Sequence, residues 1–273
     1  MSGTRPSAVL FGVGVAGTLA AFFFAHGGDH QASLVPMAAA HRTSPRAIAV
    51  RAFPSVVQLG LRDGTGNIIC VASGFFVAPG IVVTSAHVVD GAVGGDAKRV
   101  GDEVRYEITG VVALDAEYDL ALVRIAGAVG TPLVIGDDEA VAVGDEVFAI
   151  GSAGGYEGTF SQGLVSGIRR TASRRLLQIT APMSHGSSGG PILDARGDVI
   201  GVASALVERG QNLNFASPAS ALKPLLARLS ASAPLAAGWP VLQSRTTLAE
   251  GSEPSSPGAT RTAAMWLTPR YER

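Results

Sequence analysis

The chain has one cysteine, Cys70, among 273 residues. A single thiol cannot close an intrachain disulfide, so the stability of this fold cannot rest on cross-links. Cys70 stands in the apolar run Ile68-Ile69-Cys70-Val71. That is the setting of a packed thiol; a cysteine nucleophile needs exposure and a neighbouring base. An excess of charge of either sign is also missing. Lys and Arg number 21 against 22 Asp and Glu, so no global field recruits nucleic acid or anionic lipid, and no nucleic-acid partner is expected. Charged residues are only 16% and apolar ones 47%, apolar for a soluble protein but not a membrane bundle. Aromatic residues are few, at 6%, whereas glycine is abundant, at 35 residues, which suits many short strands joined by tight turns.

One hydrophobic run is long. Arg5 precedes 19 uncharged residues, Ser7 to Ala25. As a helix that run spans about 28 Å, close to the roughly 30 Å of a bilayer's hydrocarbon core. It exceeds the apolar core of a signal peptide, about 7–15 residues. Phe23 breaks the small-x-small pattern ending at Ala25, and Ala38-Ala39-Ala40 meets that pattern only far downstream. An uncleaved membrane anchor over residues 7–25 and a cleaved signal peptide both stay open, and a buried core helix is the plain alternative. Either targeting reading exports the remainder to the periplasm or beyond the cell.

Residues 1–25 are therefore read as the anchor or signal peptide and 26–46 as a linker without periodicity. His26, Asp29, His30 and His41 lie in that linker; nothing there fixes a ligand geometry, so no metal site is expected. From Ala52 to about Phe215 the pattern is short apolar runs broken by Gly, Asp and Pro. Examples are Ser55–Leu59, Gly74–Val77, Ile81–Val83, Leu120–Val123, Val147–Ile150, Gly163–Ser166, Leu176–Ile179 and Val199–Val202. They are too short for most helices and rich in β-branched residues, which predicts an all-β sandwich or barrel. Thr131–Gly144 reads as a connector between two strand sets, and no internal repeat stands out. Ser217-Pro218 predicts a helix start, followed by Leu222, Leu225, Leu226 and Leu229 at helical spacing, with Pro224 shortening or kinking the helix. One domain over 47–230 and a disordered tail over 231–273 complete the division. Trp239 and Trp266 in that tail have no assigned contact.

Three segments carry chemistry. Cleavage of an amide by a serine needs a base for the hydroxyl proton, a carboxylate to orient that base, and N–H donors for the developing oxyanion. Gly186-Ser187-Ser188-Gly189-Gly190-Pro191 places a serine among glycines, which permit a turn that exposes a hydroxyl and converges two N–H groups. Val83-Thr84-Ser85-Ala86-His87-Val88-Val89 ends a hydrophobic strand in a histidine. Tyr118-Asp119-Leu120-Ala121-Leu122-Val123 opens a strand with a carboxylate that needs a polar partner when half-buried. Taken singly, each has an ordinary explanation: a Ser/Gly loop, a structural histidine, a turn-forming aspartate. Together they occur once, in the order His, Asp, Ser, separated by 32 and 69 positions.

With these segments the chain resembles the trypsin-like serine proteases, and within them the HtrA/Deg type. The resemblance covers about Ser55 to Leu229. It also rests on Ser73-Gly74-Phe75-Phe76, Gly144-Asp145-Glu146-Val147, Gly163-Leu164-Val165-Ser166-Gly167, Gly197-Asp198-Val199-Ile200-Gly201-Val202 and Asn214-Phe215-Ala216. It implies two six-stranded antiparallel β-barrels of the chymotrypsin type, a short C-terminal helix, and an active site in the cleft between the barrels. It implies that Ser188 is the nucleophile, His87 the base and then the acid, and Asp119 the orienting carboxylate. The N–H groups of Gly186 and Ser188 would form the oxyanion hole. Ser187 replaces an aspartate that, in digestive relatives, pairs with a newly cut N-terminus, so that route of activation is not expected. Met183, Ala203 and Ala205 are the expected walls of the primary pocket. No acidic residue occurs in Pro182–Ser184 or Ala203–Leu206, so small or medium aliphatic residues are expected before the cut. No cofactor is expected. The partners are polypeptide substrates, the membrane if residues 7–25 stay attached, and a second and third copy of the chain if it trimerises as the family often does. Too few residues follow 230 for the PDZ domain common in the family, so none is expected.

The resulting reading is a serine endopeptidase acting on exported or unfolded polypeptide, with a role in protein quality control. The competing readings are a peptide-binding or chaperone-like module whose triad is rarely aligned, and an exported structural domain without catalysis.

Overall fold

The computed structural model describes residues 43–128, 130–171, 174–206 and 213–230, together with Trp239. The run 7–25, the linker up to 42, and the tail beyond 230 apart from Trp239 lie outside the described residues. Twelve described strands form two closed barrels. The first contains β1 (Val56–Arg62), β2 (Ile68–Ala78), β3 (Ile81–Thr84), β4 (Gly94–Arg99), β5 (Arg105–Asp115) and β6 (Leu120–Ile125), paired in the order β1-β2-β3-β6-β5-β4. The second contains β7 (Glu146–Gly151), β8 (Thr159–Arg170), β9 (Arg175–Ile179), β10 (Pro191–Leu193), β11 (Val199–Leu206) and β12 (Asn214–Pro218), in the order β10-β11-β12-β9-β8-β7. The cyclic order is the same in both. All the strand pairs are antiparallel. The two six-stranded barrels implied by the resemblance are present.

The alternation of side chains along each strand divides the apolar residues among three cores. In β6, Ala121, Val123 and Ile125 point into the first barrel, while Leu120 and Leu122 join the layer between the barrels. In β7, Val147 and Ala149 fill the second barrel, and Phe148 and Ile150 face the same middle layer. Strands buried on both faces need apolar residues at every position. That is why these segments read as unbroken hydrophobic runs.

Two helices close the middle layer. The first, α1 (Pro45–Ala52), was not expected from the sequence. Ser44 caps it by accepting a hydrogen bond from the Ala47 N–H at 3.2 Å, and Pro45 opens it. Ile48 and Ala52, four residues apart on one face, pack into the layer. The C-terminal helix, α2 (Leu222–Ser230), starts later than Ser217-Pro218 suggests. Ser217 and Pro218 belong instead to β12, opposite Val202 and Gly201, and the Ser217 hydroxyl donates to Tyr118 O. A single 3-10 turn, Ala219–Ala221, follows before α2. The late start puts Pro224 in the first helical turn, where its missing N–H costs nothing and no kink is needed.

The segment between the barrels is fastened to both. Leu133 N donates to Phe76 O, and Ile135 bridges to Val199 in parallel. Asp138 is buried and binds the Arg175 guanidinium, the Ser220 N–H and the Ser220 hydroxyl. One carboxylate thereby ties the connector to β9 and to the approach to α2.

Candidate active site

Between the first and second barrels, three loop segments converge. His87 sits in a 3-10 turn, Ala86–Val88, that follows β3. Its flanking residues Ala86, Val88 and Val89 are buried, so the ring is carried on a packed support. Asp119 directly precedes β6. Its φ is +55°, the only positive value at a non-glycine among the described residues. Asp tolerates this left-handed conformation better than most side chains, and its occurrence here is local strain held by the surroundings. The compensation is visible. Asp119 O accepts from Ala86 N at 3.1 Å, Oδ1 accepts from His87 N at 2.8 Å, and Oδ2 lies 2.8 Å from His87 Nδ1. The carboxylate thus grips both the backbone and the ring of His87. A proton on Nδ1, donated to the carboxylate, leaves Nε2 as the basic nitrogen.

Ser188 lies in the turn before β10. Gly186 has φ +93° and Gly189 φ +83°, and neither site has room for a side chain. A Cβ on Gly186 would stand 2.2 Å from Ser152 O, and one on Gly189 2.3 Å from Ser73 O. The glycines on either side of Ser188 are therefore required by both conformation and contact. Ser187 N donates to Ser184 O and Gly190 N to Ser187 O, closing the turn on both sides. Ser188 O and Gly189 N are spent on Ser73 N and Ala203 O. The N–H groups of Gly186 and Ser188 find no acceptor among the described residues.

Ser204 links the Ser188 loop to Asp119, and sequence reasoning missed it. The β11–β12 register slips between Ala203 and Ala205, which leaves Ser204 as the extra residue of a β-bulge. Its hydroxyl donates to Asp119 Oδ2 at 2.7 Å, while its carbonyl accepts from Ser188 Oγ at 3.5 Å. His87, Asp119 and Ser188, expected together from sequence order, are joined in this way: the first two directly, the third through Ser204. Only the bulge could have signalled Ser204, and a bulge has no local signature in Val202-Ala203-Ser204-Ala205.

The residues named for the primary pocket occupy different settings. Met183 is half-buried against the second barrel's core, and Ala203 lies within that core. Ala205 stands in β11 opposite Phe215, and its side chain is outside the described set. A small hollow beside the Ser188 loop is lined by Ile150, Gly151, Pro182, Ser187 and Ala203. Ser187 is buried, and its Oγ accepts from Ser184 N at 3.2 Å. A hydroxyl closes the turn here, with no carboxylate awaiting an ammonium group.

The chain is similar in sequence and fold to known proteins. The family described as trypsin-like peptidase domain matches residues 72–202. An anti-sigma-I factor of Acetivibrio thermocellus is 30% identical over 64% of this chain and 25% of its own length. A probable periplasmic DegP-like serine endoprotease of Halomonas elongata is 32% identical over 62% of this chain and 37% of its own. The chain thus spans well under half the length of these curated relatives. Among solved structures, a protease of M. tuberculosis in its active form superposes with a TM-score of 0.63 at 26% identity. That superposition covers 70% of this chain and 87% of the other.

Proposed function

We propose that this chain, whose residues 72–202 match the trypsin-like peptidase domain family, is a serine endopeptidase of the HtrA type that works through Ser188, His87 and Asp119. The observation that carries this reading is the double grip of Asp119 on His87 with Ser188 tied to the same aspartate through Ser204. In the first step Ser188 Oγ bonds to the scissile carbonyl carbon, and its proton moves to His87 Nε2. The oxyanion is stabilised by the N–H groups of Gly186 and Ser188. His87 then passes the proton to the departing amine as the C–N bond breaks, leaving an acyl-serine. Water repeats the sequence with His87 as base, releasing the acid and restoring Ser188.

The substrates are exported or unfolded polypeptides, in keeping with the periplasmic, DegP-like description of the Halomonas elongata relative. The residue before the cut is small or medium and aliphatic, because the expected pocket walls carry no acid; a cleavage profile dominated by Lys or Arg contradicts this. Activity does not await a new N-terminus, because Ser187 offers no carboxylate to pair with one. The test is casein hydrolysis by the uncut full chain and by Ser188→Ala. Turnover by the wild type that Ser188→Ala abolishes supports the proposal. An inactive, folded wild type or an active variant contradicts it.

A further inference from the structure

We infer that the hydroxyl of Ser73, a residue of the first barrel, holds the oxyanion hole of the second barrel in its working shape. This rests on the assignment of the Gly186 and Ser188 N–H groups as that hole. Ser73 is fully buried, at 0% exposure, and every polar atom it has is engaged. Its hydroxyl donates to Gly186 O at 2.6 Å and accepts from Ser152 N at 2.7 Å. Its N–H donates to Ser188 O at 2.9 Å, and its carbonyl accepts from Thr84 Oγ1 at 2.8 Å. One β2 residue therefore holds the carbonyls of both residues whose N–H groups form the hole.

The second link runs through the loop that Ser152 begins. Gly154 N donates to His185 O at 2.7 Å. In a trans peptide the N–H points opposite the C=O, so fixing His185 O turns the Gly186 N–H away from Gly154. Ser73 Oγ bonds both the head of that loop, at Ser152 N, and, at Gly186 O, the peptide that directly follows the one it orients. Gln58, opposite Ser73 in β1, holds the other end of the loop by donating to Gly155 O at 3.0 Å. The hole peptides are held directly by Gly154 N and Gly190 N, while atoms of β1 and β2 anchor the peptides that follow them and the loop that carries Gly154. Ser73 is a positioning residue: it touches no substrate and acts through Gly186.

A residue that merely fills a buried site lowers stability and affects all ligands alike. One that sets the hole affects ligands that place an oxygen there. The full chain is assayed with three probes: a fluorogenic peptide that the wild type cuts, its boronic-acid analogue, and its uncleavable reduced-amide analogue, which lacks the carbonyl oxygen. In Ser73→Ala, kcat falls about ten- to hundred-fold and boronate affinity falls in parallel. KM and reduced-amide affinity stay within about threefold. Ser73→Thr, which keeps a hydroxyl, recovers most of the lost kcat. An unchanged kcat, an unchanged boronate affinity, or an equal loss of reduced-amide affinity overturns the inference. If Ser73→Ala does not fold, Gly151→Ala carries the test, because its Cβ would stand 2.8 Å from Ser73 Oγ and displace it. It must show the same division between probes, and wild-type kcat there overturns the inference. A wild type that cuts nothing removes the proposed activity as well. An active wild type with an unaffected Ser73→Ala removes only the role of Ser73.

Discussion

Replacing Gly186 by alanine tests whether the geometry of one peptide sets the rate. At φ +93° an L-residue is strained, by about 1–2 kcal/mol for left-handed backbone. Its Cβ would also meet Ser152 O at 2.2 Å, whereas a carbon and a carbonyl oxygen settle at about 3.3 Å or more. One of the two loops must retreat by about 1 Å, and a misplacement of that size costs about 10²-fold in rate. Loss of a whole oxyanion donor costs about 10²–10³ in kcat. In Gly186→Ala, kcat is therefore expected to fall by about 10²–10³, while KM changes little, because the hole acts on the transition state more than on bound substrate. The strain lies within the usual stability reserve of about 5–15 kcal/mol, so the variant stays folded at 25 °C. The assay is steady-state hydrolysis of a fluorogenic peptide, with near-UV circular dichroism to check the fold. A folded variant with kcat near wild type, or one whose loss lies entirely in KM, refutes the reasoning.

Three further outcomes follow from particular contacts. The Asp119 carboxylate accepts hydrogen bonds from His87 N, His87 Nδ1 and Ser204 Oγ, and an amide offers one oxygen in place of two. Asp119→Asn should therefore lower kcat by about 10³–10⁴ through the wrong imidazole tautomer; a loss below tenfold in steady-state assays would show that the aspartate does not orient the base. Asp138→Ala strands the Arg175 side chain, which is only 13% exposed, and should cost about 3–5 kcal/mol in urea unfolding. A loss under about 1 kcal/mol would mean that the pair is not effectively buried. Burial pushes the Cys70 thiol up from its ordinary value, so less thiolate is present at pH 8, and Ellman's reagent should react more slowly with folded than with urea-unfolded protein. Equal rates would contradict that packing.

The fold was legible where both faces of a strand are buried. Leu120–Val123 and Val147–Ile150 are continuous apolar runs because one barrel and the middle layer both claim their side chains. By contrast, β4 reads Gly-Gly-Asp-Ala-Lys-Arg, with only Ala97 buried, so its strand character comes from pairing with β1 and β5. The eight-residue α1 is too short to show a clear period, and its place is decided by Ile48 and Ala52 entering the middle layer. Ser217-Pro218 carries a genuine helix-start pattern, yet pairing with β11 prevails over local propensity there. At the site, His87, Asp119 and the glycines around Ser188 could be picked out because the proposed chemistry demands those residue types. Ser204 and the role of Ser73 could not. Their partners lie 85 and 113 positions away, and only barrel closure brings them together.

The most direct measurement is labelling of the full chain by a fluorophosphonate, read by intact mass and peptide mapping. The reagent reports an activated serine, which requires His87 as base and the hole as acceptor of charge. The wild type is predicted to gain one adduct, located on Ser188, with Ser188→Ala unlabelled and His87→Ala labelled far more slowly. A folded wild type that stays unlabelled, or an adduct on another serine, contradicts Ser188 as the nucleophile.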